Sequence, residues 1–102
     1  MTLLLSVGAF SQIHAQNFQD SLTHSDRLKR VGDREGSLGI INRTIRQGQA
    51  QNDAELQALA LYEKAAWYNF YMQYDTAIAH GRRALAFVEQ EKLRDLEPKF
   101  LM

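Results

Sequence analysis

Few residues in this chain could do chemistry, and none of them is arranged to do it. His14, His24 and His80 are scattered along 102 residues. A metal site needs several convergent ligands, and no two histidines stand at ligand spacing with a carboxylate. Asp33-Arg34-Glu35-Gly36 places two acids close together. Acid–base work would require a pocket that drives their pKa values apart, and the flanking residues do not suggest one. Acids there better suit the positive end of a helix dipole. Ser21, Ser25 and Ser37 lack a nucleophile elbow, and there is no glycine loop for phosphate. Trp67, Tyr68, Phe70, Tyr71 and Tyr74 fall within eight residues. Aromatics can stack on bases, but their helical spacing points to packing. Tyr68 fits a core. Trp67 and Tyr71, four apart, share another face, which either covers a neighbouring repeat or stands out as a contact hot spot. Arg82-Arg83 reads as a solvated face that could also meet an anionic partner segment.

Composition narrows the functions further. Lys+Arg and Asp+Glu number 12 each, for a net charge of zero, which argues against a general nucleic-acid binder. Cysteine is absent, which excludes disulfides, thiolate metal sites, cysteine nucleophiles and a lipoprotein anchor. Hydrophobic residues make up 45%, with a single proline, so the chain is apolar enough to fold and free to form long helices.

Those helices begin after an atypical first segment. Leu3 to Phe10 is largely apolar, and Ser11 to Gln16 is more polar. This is the form of a secretory signal, with Ala15 as a cleavage position. It is too short for a bilayer, which takes roughly 20 apolar residues. The basic start usual in signals is missing, since the first Lys or Arg is Arg27. The alternative reading is an apolar capping helix. Residues 1–16 are therefore expected to be a signal peptide and residues 17–102 a helical region, exported to the periplasm or another extracytoplasmic space.

From residue 17 onward apolar residues recur at helical spacing, predicting helices at about 17–31, 34–50, 54–72 and 75–91. In the last of these, Ala77, Ile78, Gly81, Ala84, Leu85 and Val88 share one face, and Asp75 suits the N-cap. Forty residues earlier Ser37, Leu38, Ile41, Thr44, Ile45 and Gly48 take the equivalent places. Between them run two stripes: Leu61, Ala65, Tyr68, Met72 and Leu59, Tyr62, Ala66, Phe70. A doubly apolar helix is sandwiched between neighbours, and Asp53 can cap it. Asp95-Leu96-Glu97-Pro98 has the signature of a fifth helix start. A period near forty in an all-helical chain is that of stacked helical hairpins.

Leu61, Ala65, Tyr68, Tyr74, Ala77, Ile78, Ala84 and Leu85 together resemble the tetratricopeptide repeat. Tyr74-Asp75-Thr76-Ala77-Ile78 with Arg83-Ala84-Leu85 is the most specific stretch. The pattern departs from the family at Met72-Gln73 and Gly81, and it lacks the closing proline. The resemblance implies an all-α fold, with antiparallel hairpins stacked as a short right-handed solenoid of about two repeats. The period resembles a longer variant, common in exported sensor and regulator proteins. It implies a groove lined by the first helix of each hairpin, which maps here to Leu59, Tyr62, Ala66, Asn69 and Phe70. Asn69 would bond a peptide backbone, while Tyr62 and Phe70 would offer apolar pockets. The carboxylate-binding Lys and Asn of some members are matched by Tyr62 and Ala66, so that activity is not implied. The expectation is thus a non-enzymatic scaffold, without cofactor or metal, that binds a protein or peptide as the sensing part of a larger exported signalling protein. The rival is a structural module that self-associates through exposed hairpin faces.

Overall fold

A computed structural model describes residues 20–93, 95 and 96. Residues 20–30 form helix α1, followed by α2 (Arg34–Ala50), α3 (Ala54–Phe70) and α4 (Tyr74–Gln90). No strand occurs among the described residues. The expected signal at residues 1–16 lies outside the described residues. So does nearly all of the expected fifth helix, of which only the turn at Asp95 and Leu96 is described.

The turns explain where the helices stop. Gly32, Asn52, Met72 and Lys92, spaced by 20, all have positive φ. After each helix the next residue donates its N–H five residues back: Asp33 to Leu28, Asp53 to Gly48, Gln73 to Tyr68 and Leu93 to Val88, each at 2.9 Å. The left-handed residue itself donates three residues back in all four turns. This is the Schellman arrangement, which satisfies carbonyls that a helix end would leave bare. Glycine and asparagine adopt that conformation readily, whereas methionine and lysine do so at a cost.

The left-handed Met72 ends α3 at Phe70 and leaves Met72 outside it and exposed, so the helix expected to reach residue 72 is shorter. Asp33 and Asp53 cap α2 and α3, accepting from the N–H of Gly36 at 2.9 Å and of Leu56 at 3.1 Å. The cap expected of Asp75 is not made. α4 starts one residue earlier, Gln73 takes the cap position without a side-chain bond, and Asp75 lies in the first turn.

α3 is the central element and packs against both α2 and α4, but its buried residues are Leu56, Ala58, Ala60 and Trp67, none of which belongs to either expected stripe. The core joins Leu22 of α1, Ile41 of α2, and Ala60 and Trp67 of α3, flanked by Leu38, Ile45, Leu59, Tyr68 and Tyr71. Small side chains let the helices approach. A Cβ on Gly48 would come within 2.8 Å of Gln57 Cγ and 3.2 Å of its backbone nitrogen. Ser37, Thr44 and Ala84 are fully buried, and Thr44 meets its hydroxyl's need within its own helix by donating to the carbonyl of Ile40 at 2.8 Å. Ile78, expected on the buried stripe of α4, is 53% exposed. Of the expected stripe, Ala84 and Val88 are the buried residues.

Candidate functional site

The five residues expected to line a groove, Leu59, Tyr62, Ala66, Asn69 and Phe70, follow one another along α3 at steps of three, four, three and one, which keeps them within about 100° of one another on one face. They differ in availability. Leu59 is half-buried and packs against the core. Tyr62 and Ala66 are half-buried, and Tyr62 is already engaged in a contact. Asn69 and Phe70 are exposed.

Phe70 is held from two sides. Its ring meets Tyr71 edge-on at 5.0 Å between centroids, and the Lys29 ammonium of α1 stands 5.2 Å from its centre, within cation–π range. Asp26 fixes that ammonium at 3.0 Å and binds Arg30 at 2.8 Å. The hydrogen bonds from Arg30, then Lys29, hold the Asp26 carboxyl below its ordinary value. The end of α3 thus meets the end of α1 through an aromatic–cation contact in which Lys29 is buried and Phe70 is exposed.

Beneath it lies a polar network inside the core. Trp67 Nε1 donates to Ser37 Oγ at 2.8 Å. That hydroxyl donates in turn to the carbonyl of Asp33 at 2.8 Å. Ser25 Oγ donates to the Ser37 carbonyl at 2.8 Å. Tyr71 Oη donates to the Lys29 carbonyl at 2.6 Å, while the Arg34 guanidinium lies 4.2 Å from the Tyr71 ring centre. Trp67 is 6% exposed. The hot-spot alternative for Trp67 and Tyr71 is therefore corrected: they bolt α3 to the preceding helices. Among the described residues, no buried side-chain polar atom lacks a partner, as a stable core requires. Spacing identified Ser37 as a small residue at a close approach; a bond reaching 30 residues onward leaves no trace in local sequence.

A separate arrangement joins α3 to α4. Tyr68 and His80 stack in parallel, with centroids 4.8 Å apart and planes inclined by 2°. His80 is half-buried there. Its pKa is lowered by burial, then by the charges of Lys64 and Arg83. Lys64 is lowered as well, by burial and then by Arg83.

Comparisons with protein-family models, with curated proteins and with solved structures found no significant match. The tetratricopeptide resemblance therefore rests on the residues from Leu61 to Leu85. Among the described residues no three His, Asp or Glu side chains converge as metal ligands, and no helix is long and apolar enough to cross a membrane. An open cleft of about 270 Å³ is lined by Glu55, Lys92, Leu93, Asp95 and Leu96. That lining offers no nucleophile beside a base.

Proposed function

We propose that this chain is a non-enzymatic, tetratricopeptide-like helical-repeat scaffold that binds a protein or peptide, and that it belongs to a larger exported signalling protein. The observation that carries the reading is the repetition itself. Three 17-residue helices are joined by turns with the same bonds every 20 residues. Such regularity suits a solenoid, whose hairpins each contact mainly their neighbours and leave one long face for a ligand. On that face Asn69 and Phe70 are exposed beside Lys29. Phe70 would fill an apolar pocket of the partner and Asn69 would bond its backbone. Export rests on the signal-like residues 1–16.

The test is selection from a random peptide library displayed on phage against the immobilised full chain. Selected peptides should lose at least tenfold in affinity, by calorimetry, toward Phe70→Ala and Asn69→Ala chains of unchanged helicity. Peptides that bind these variants as well as the parent would remove the reading.

A second reading, self-assembly, draws on Tyr74 and Ile78, more than half exposed and one turn apart on α4. Sedimentation equilibrium decides it. A mass that rises with concentration and reverts to the monomer in Ile78→Glu favours pairing, and a monomer throughout excludes it.

A further inference from the structure

Lys64, Tyr68, His80 and Arg83 occupy one spot on the side of α3 opposite the Tyr62–Phe70 face. Residues two apart on a helix point about 200° from each other, so Lys64 and Tyr68 face away from Tyr62 and Ala66. Their convergence follows from the topology. A three-residue turn makes α3 and α4 antiparallel neighbours, and the Tyr68–His80 stack pins the two helices at one level. Lys64 lies four residues before Tyr68 and Arg83 three after His80, so both step away from the turn. At 1.5 Å per residue their levels differ by only about 1.5 Å. The basic groups therefore meet beside the aromatic stack instead of diverging.

The charges that act on the two groups are cationic: Arg83 on Lys64, and Lys64 and Arg83 on His80. Glu63, next in sequence, points about 100° away around the helix and is engaged in a contact of its own. Like charges gathered in one place raise the local potential, and an anion relieves it.

We infer that Lys64, His80 and Arg83 form a binding position for the side-chain carboxylates of an acidic peptide segment. Arg83 supplies a planar fork for the carboxylate, Lys64 a point charge, and His80 a donor that gains its second proton when the anion arrives. This deepens the peptide-binding reading and rests on it, but it uses the other side of α3.

The sign of the proton linkage gives the test. Burial, then Lys64 and Arg83, lower the His80 pKa from its ordinary value and so favour the neutral ring. An anion that favours the protonated ring must raise that pKa, and its own affinity must rise as pH falls. The probe is hexaglutamate, blocked at both ends, titrated into the full chain while the His80 ring is followed by NMR; a His80→Gln chain assigns the signal. The apparent pKa should rise by about half a unit, equivalent to about threefold tighter binding to the protonated ring. Lys64→Gln and Arg83→Gln should abolish the rise, while Arg82→Gln should leave it intact. Blocked hexaglutamine should have no effect. No rise with hexaglutamate, or an equal loss in Arg82→Gln, would overturn the site, and inorganic phosphate matching hexaglutamate at equal charge would overturn the peptide assignment. If library peptides still depend on Phe70 while hexaglutamate leaves His80 unmoved, this site fails and the scaffold reading stands.

Discussion

α2 and α4 carry similar apolar patterns with different outcomes. Both have 17 residues, both end in the same Schellman turn, and their apolar positions correspond at a shift of forty. On α2 the stripe is covered: Ile41 is 2% exposed among Leu22, Ala60 and Trp67, with Leu38 and Ile45 packed beside it. On α4 Ile78, the counterpart of Leu38, is 53% exposed, and at Gly81, the counterpart of Ile41, a Cβ would meet nothing within 4 Å. The difference shows that an apolar stripe states only that a helix is able to pack. Whether it does so depends on a neighbour, and α2 has neighbours on both sides of its stripe.

The largest expected effect separates the two stripes directly. Ile41→Ala should lower unfolding free energy by about 2–5 kcal/mol in urea titration, through lost burial and the cavity left behind. Ile78→Ala should change it by less than about 0.5 kcal/mol, as at an ordinary surface site. Equal losses would mean that the stripe of α4 is covered in solution.

Next come the two glycines. Gly48→Ala drives a methyl into Gln57 at the α2–α3 contact, with an expected cost of about 1–3 kcal/mol from overpacking. Gly81→Ala adds a methyl in open space and should stabilise by about 0.5–1 kcal/mol, because alanine is the better helix former. Thermal melts of the two variants should therefore shift in opposite directions.

The turns sharpen the comparison at the smallest scale. Met72 and Lys92 adopt the left-handed region and are exposed, at φ 62° and 58°. Met72→Gly and Lys92→Gly should each gain about 1 kcal/mol, the relief of a Cβ in that region. Asn52→Gly should gain less, since asparagine tolerates the conformation. Chemical denaturation resolves the three, and a loss at Met72 would mean that its side chain packs in solution.

Much of this architecture was legible because it is local. Period, the cap at Asp53, the acidic start of α2 at Asp33 and Glu35, and the packing of α3 on two sides follow from residues within a few turns of one another. The end of α3 was missed because methionine does not signal a left-handed cap as glycine does. Ile78 was misplaced because its amphipathic pattern is indifferent to what faces it. The Trp67–Ser37 bond and the Tyr68–His80 stack join residues on different helices, so spacing alone could not pair them. The candidate groove face was legible as a face, but its uneven exposure, with Leu59 half-buried against the core and Phe70 exposed beside the buried Lys29, depends on neighbouring helices.

The 20-residue spacing of the left-handed turns also constrains how the chain can change length. One residue inserted within a helix turns everything beyond it by about 100°, which would carry Trp67 off Ser37 or His80 off Tyr68. Twenty residues added would restore the turn geometry but reverse the direction of every later helix. Only units of forty return each surface to its former neighbour. Small insertions should therefore be tolerated best at the tips of the turns, where they leave the register of each helix against its neighbour unchanged.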